Sequence, residues 1–227
     1  MDHPLYNGSV MQYKHDAAAG IRLLEQVGWR DLDGDPATPR LASTVTNIPA
    51  GTPLTLNYYS TAALQRRQIA DILSTSLAEC GVGVSVQYYS QEDLFAPGPE
   101  GLLFGRRFDL IQYAMSTDDV LPPCDWFMSS EIPSASNHWV GTNVTGFKNP
   151  EYDAACHAAA LALPGEAAFG QGLQDAQTIF AAELPAIPLY YRLKVAAARP
   201  DVCHFDLDPS ANPMWNIEAF DMGQGCQ

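Results

Sequence analysis

The stretch LTLNYYSTAALQRRQIADILSTSLAECGVGVSVQYY, residues 54–89, changes its hydrophobic period twice. Leu54, Leu56 and Tyr58 alternate with polar neighbours, the period-two pattern of a half-buried strand. Ile69, Leu73, Leu77 and Cys80 then recur at helical spacing, and Gly81 stands where that helix must stop. Alternation returns through Val82, Val84, Val86 and Tyr88. A strand, a helix and a strand with short joints make a crossover, so the two strands are expected side by side and parallel. The fold class that follows is α/β, with a mixed, largely parallel sheet flanked by helices.

Upstream, HDAAAGIRLLEQVGW, residues 15–29, reads as a helix with both ends marked. Asp16 can cap the free N–H groups, Gly28 suits the left-handed closing position, and Ile21, Leu24 and Val27 form the inner stripe. The following GWRDLDGDPATPR, residues 28–40, begins like a calcium loop. Counted from Asp31, however, position 6 is Pro36 instead of glycine and position 12 is Ala42 instead of a bidentate carboxylate. The stretch is therefore read as a turn.

Downstream, RRFDLIQYAM, residues 106–115, is expected as a third strand, and regular patterning stops from 116 to 149. Order resumes at NPEYDAACHAAALAL, with Asn149 as N-cap and Pro150 at the first helical position. A further helix over 166–183 carries Phe169, Leu173, Ala176 and Phe180 on one face. PAIPLYYRLKVAAARP, residues 185–200, reads as a strand that Pro185 and Pro188 confine to an edge or a crossing.

The chemistry is bounded by what these residues can do. A net charge of -14 in 227 residues, with no basic cluster longer than Arg-Arg, disfavours nucleic acid as a partner. No apolar run approaches the ~20 residues that span a bilayer. The five cysteines form no C-x-x-C pair and have no zinc spacing, and no Gly-rich phosphate loop, H-E-x-x-H or G-x-S-x-G occurs. Cys156–His157 and Cys203–His204 are sequence neighbours whose side chains point apart, a poor arrangement for a nucleophile and its base. Neither an enzyme nor a cofactor is indicated.

More informative is YAMSTDDVLPPCDWFMSS, residues 113–130. Asp118 and Asp119 follow the carboxyl end of an expected strand, where open α/β sheets bind ligands. Trp126, Phe127 and Trp139 supply aromatic surface, which with a few placed polar groups suits a cleft for a small molecule or peptide. On the residues alone, solvated turn aspartates and core aromatics fit the pattern equally well.

Taken in order, AAGIRLLEQVGW with DLDGD, LTLNYYS, QIADILSTSLAECGVGVSVQYY, FDLIQYAMSTDD, GFKNPEYDAACHAA and AQTIFAAELPAIPLYYRLKVAAARPDV run through essentially the whole chain. Together they resemble the extracellular solute-binding proteins of family 5, the oligopeptide, dipeptide and nickel receptors of ABC transporters. The resemblance implies a two-lobed receptor of roughly twice this length, judged by usual domain size. Residues 1–185 would be most of the second lobe, and 186–227 a strand and tail crossing back to the first. That first lobe, with an export signal or lipid anchor, would lie outside this chain, and the location implied is extracytoplasmic. The implied partners are a peptide-like or other small solute and a membrane permease. In peptide-binding relatives an aspartate within a Gly-Trp-x-x-Asp-Tyr-like motif receives the peptide amine, and the matching position is Asp118. Ala114–Met115 here replace Gly-Trp, and Asp119 replaces the aromatic. Asn137, Trp126 and Trp139 are further cleft candidates.

Two rivals have distinct signatures. A ligand-sensing domain of a transcription regulator would share the fold and be accompanied by a helix-turn-helix. A hydrolase would need an acidic catalytic pair, for which Asp118 and Asp119 are the testable residues. For the disulfides, Cys156 is expected to pair with Cys203; the other pairings stay open.

Overall fold

The computed structural model describes residues 5–35, 37–115, 124–190, 195–208 and 211–223. Helix α1 spans Ala17–Gln26, and the Asp16 carboxylate accepts from the Ala19 N–H at 2.8 Å. Its inward residues are Ala17, Gly20, Ile21 and Leu24, all half-buried, whereas Val27 is 59% exposed. Ile21 and Leu24 thus face inward as expected, and Val27, the C-cap residue beyond the helix, does not. Gly20 lies against Cys80, where a Cβ would be 2.8 Å from the Sγ, so that contact is made through the glycine. Gly28 takes φ +102 and lets strand β1 (Trp29–Arg30) turn back against β2 (Leu41–Ala42) in an antiparallel pair. Between them the aspartates bond the loop's own backbone. Asp31 accepts from the Gly34 N–H, Asp33 from the Asp35 N–H and Asp35 from the Ala37 N–H, each at 2.8–3.0 Å. The Asp35 N–H and the Thr38 hydroxyl hold the Asp33 carboxyl below its ordinary value.

Residues 54–89 fold as their pattern dictates. Strand β3 (Thr55–Thr61), helix α2 (Leu64–Ala78) and strand β4 (Gly83–Tyr89) form the crossover, and β3 and β4 are parallel from Thr55↔Gly83 to Thr61↔Tyr89. Gly81, at φ +73, makes the turn into β4 over the buried Arg40 side chain; a Cβ there would meet Arg40 Cγ at 2.7 Å. After the short helix α3 (Gln91–Leu94), strand β5 (Leu110–Ile111) joins the other edge of β3, giving the all-parallel order β4-β3-β5. The third strand is shorter than its sequence suggests. Asp109 takes the Asn57 N–H with its carboxylate at 2.8 Å, and the side chain so replaces a ladder bond.

Helices α4 (Pro150–Leu161) and α5 (Ala167–Glu183) pack on each other. Asn149 caps α4 by accepting from the Glu151 and Tyr152 N–H groups. On α5, Leu173 and Ala176 are buried and Phe169 and Phe180 half-buried, the face expected. Residues 5–13 lie along α5: Asn7 N–H donates to Gln177 Oε1 and Tyr13 hydroxyl to the Ala182 carbonyl.

The chain divides into two compact units, Met1–Ala114 with Cys124–Pro185, and Met115–Pro123 with Ala186–Gln227. The second contains the antiparallel pair β6 (Val202–Cys203) and β7 (Asp221–Met222), with Phe205 and Phe220 packed edge to face just inside it. The strand expected over 185–200 does not form at 185–190 or 195–200, and residues 191–194 lie outside the described residues. Pro185 and Pro188 remove two ladder donors, and a strand exists only when a neighbour supplies bonds.

Candidate functional site

The exits of β3, β4 and β5 lie at one end of the sheet because the strands are parallel. Beneath that end is a buried polar knot. The Tyr58 hydroxyl donates to Gln112 Oε1 at 2.7 Å, and the Ser60 hydroxyl, fully buried, donates to the Gln112 carbonyl at 3.1 Å. Arg66, on the first turn of α2, donates to the same carbonyl at 3.2 Å. The knot ties β3, β5 and α2 together at the point where the chain leaves for Asp118 and Asp119, which lie outside the described residues. Tyr113 packs edge to face on Phe95, 6.2 Å between centroids, and burial pushes its phenol up to about 12.

A second group of residues, 124–149, is built from three one-turn 3-10 helices, Cys124–Phe127, Ser129–Glu131 and Ala135–Asn137. Side chains hold these turns where a ladder would otherwise be needed. Asn143 is fully buried, and its Nδ2 donates to the carbonyls of Phe127, Met128 and Phe147 at 2.8–3.0 Å. Its Oδ1 accepts from the Phe147 N–H and the Thr145 hydroxyl. Helix α4 anchors the group from outside: Tyr152 hydroxyl donates to the Cys124 carbonyl at 2.7 Å, and Asp153 accepts from the Ser129 N–H at 2.9 Å. Burial, with Asp125 and Asp153 nearby, drives the Tyr152 phenol far upward, so it stays a neutral donor.

The disulfide differs from the expected pairing. Cys156 is bonded to Cys124, 5.7 Å between α-carbons, and not to Cys203, which is disulfide-bonded elsewhere; Cys80 is a free thiol. Cys124 and Cys156 belong to the same compact unit and Cys203 to the other. The bond also removes Cys156 from any nucleophilic role.

Three of the five candidate ligand residues can be placed. Trp126 is half-buried on the first 3-10 turn, between two anchored residues. Trp139 is half-buried with φ +62, next to His138 at φ +54, and its indole covers Gly98, where a Cβ would lie 2.6 Å from Cε3. Both tryptophans stand in the 124–149 stretch, one on its first 3-10 turn and one just after its third. Asn137 is used differently: its Oδ1 accepts from the Ser134 N–H and its Nδ2 donates to the Ile132 carbonyl, both at 2.9 Å, so its amide holds the loop instead of facing a ligand. Among the described residues, no group of three or more His, Cys, Asp and Glu side chains could hold a metal ion.

Asn143, Gln112 and Tyr152 carry the site's architecture without having been singled out as candidates. Asn143 stands in Gly141-Thr142-Asn143-Val144-Thr145-Gly146, a turn composition, but only the fold reveals which carbonyls it collects.

The oligopeptide-binding protein of Thermus thermophilus, complexed with a pentapeptide, superposes on 89% of this chain with a TM-score of 0.75 and 23% identity. The oligopeptide-binding protein AppA of Bacillus subtilis, in complex with a nonapeptide, covers 97% of it at 0.70 and 17%. The chain has the fold of these binding proteins. A mannohexaose-bound periplasmic oligopeptide-binding protein of an oligopeptide ABC transporter from Thermotoga maritima covers 79%, at 0.62 and 19% identity. The chain spans 34, 40 and 31% of the length of these three, respectively. No protein-family model matches the sequence, and no curated protein matches it. Among the described residues no helix is long and apolar enough to cross a membrane.

Proposed function

We propose that this chain is part of the substrate-binding component of an ABC transporter, a member of solute-binding family 5 that captures a peptide-like solute between two lobes. Residues 1–185 form most of the second lobe and 186–227 the return toward the first. The observation that carries the reading is the parallel β4-β3-β5 sheet with its loop group, matched over 79–97% of the chain by three binding proteins. In this reading Asp118 receives the solute's ammonium group. A carboxylate and an ammonium excluded from water attract strongly, which favours a ligand with a free amine. Asp119 adds negative charge beside it, and Trp126 and Trp139 offer flat apolar surface for side chains that vary from one solute to the next. Asn137 supports the loop that carries Trp139. The protein delivers its solute to a membrane permease outside the cytoplasm and catalyses no reaction.

Native mass spectrometry of the full-length protein, isolated from the cell envelope without refolding, tests this directly. Co-purified masses of short peptides, lost on Asp118→Asn, are the expected result. A sugar or a metal chelate in their place would overturn the peptide assignment, and a protein found only in the cytoplasm would overturn the receptor reading.

A further inference from the structure

The three consecutive carbonyls of Trp126, Phe127 and Met128 are all received by two adjacent residues. The Thr142 hydroxyl donates to the Trp126 carbonyl at 3.3 Å, and Asn143 Nδ2 donates to those of Phe127 and Met128 at 3.0 Å each. The Asn143 N–H reaches forward to the Glu131 carbonyl at 2.9 Å, which closes the clasp on the second 3-10 turn. Phe127 and Met128 are buried, and Phe127 packs edge to face on Phe180 at 4.9 Å. Trp126 is the most exposed of the three. A 3-10 turn has poor intrinsic hydrogen-bond geometry and little stability of its own. The backbone that carries the Trp126 indole is therefore held by the groups that donate to these carbonyls.

We propose that Thr142 and Asn143 are positioning residues that set solute affinity by fixing the backbone under Trp126. The inference rests on the receptor reading above for the word affinity, but the clasp itself is a property of the unliganded chain. Preorganising a contact lowers the ordering cost at binding, so loosening it weakens binding even where no ligand atom is touched. Thr142→Val removes one donor at nearly constant shape on an exposed residue and should fold. Asn143→Ala strands the buried carbonyls of Phe127 and Met128 and the half-buried one of Phe147, and is the more disruptive change.

The test uses the full-length protein labelled with 5-fluorotryptophan and a defined pentapeptide library as probe. Thr142→Val is expected to shift or broaden the Trp126 fluorine resonance without ligand, leave that of Trp29 unchanged, and weaken pentapeptide binding about tenfold. In a Trp126→Ala background the same substitution should cost no further affinity, which a general loss of stability would not reproduce. Additive losses, or unchanged binding, would overturn the proposal. If the unsubstituted protein binds no peptide, the receptor reading fails by itself; an unmoved Trp126 resonance in both Thr142→Val and Asn143→Ala then overturns the clasp as well, and a moved one upholds it.

Discussion

Gly172 of α5 lies against the Ala155 carbonyl of α4 so closely that a Cβ would sit 2.6 Å from that oxygen and 3.1 Å from the Ala159 Cβ. The two helices meet through small residues, and the missing side chain is what lets the backbones approach. Gly170, one half-turn earlier on the same helix, has nothing within 4 Å of such a Cβ. The pair should respond in opposite directions. Gly172→Val should destabilise by about 1–3 kcal/mol through overpacking against backbone that cannot yield. Gly170→Ala should stabilise by roughly 0.5–1 kcal/mol through helix propensity alone. Urea midpoints of the two variants check both signs.

The Tyr58–Gln112 bond leads to a second expectation. Tyr58→Phe removes the hydroxyl and leaves Gln112 Oε1 with only the longer 3.4 Å approach of Ser60. The cost should be about 1–2 kcal/mol, because the amide stays buried. Replacing Gln112 by Leu in the Tyr58→Phe background should recover part of it, since an unpaired acceptor is then no longer present. A double-mutant cycle by chemical denaturation measures the recovery; no coupling would contradict the knot.

Alkaline pH should weaken the fold through Tyr113. Its phenol titrates at about 12 when folded against an ordinary value of 10.0, with burial as the cause. A raised folded value means that the contribution is complete below pH 10 and is lost as pH rises through about 12. The loss is on the order of 2 kcal/mol at the upper end. Tyr113→Phe should flatten the stability profile between those limits. Tyr152 is raised as well, so the Phe variant must be read against a Tyr152→Phe control.

The Cys124–Cys156 bond closes a 32-residue separation. Loop-closure entropy at that length corresponds to about 3–4 kcal/mol. Non-reducing peptide mapping should recover these two cysteines in one linked pair and Cys80 as an alkylatable thiol once the protein is unfolded. A Cys156–Cys203 peptide would contradict the assignment.

Much of the fold is legible in the sequence because the deciding signals are local. The switch of period across residues 54–89, the caps at Asp16 and Asn149, and the glycines at 28 and 81 each constrain their own neighbourhood, and each stands where it was read. The errors arise where a distant partner decides. Val27, the exception, leaves the stripe of α1 because the helix ends at Gln26 and Val27 becomes its exposed C-cap. The third strand starts late where Asp109 reaches Asn57 across 52 residues, and Cys156 pairs with Cys124, whose carbonyl Tyr152 also holds.

The candidate site divides in the same way. Sequence order alone set Trp126 and Trp139 in an aromatic, irregular stretch after a strand exit, and marked the turn residues around them. That Asn137 holds a loop, that Thr142 and Asn143 collect three consecutive carbonyls, and that Gln112 is the centre of a buried knot became visible only in three dimensions. Hydrophobic period and capping are written in residues three or four apart, whereas a buried amide declares its role only through the partners that folding brings to it.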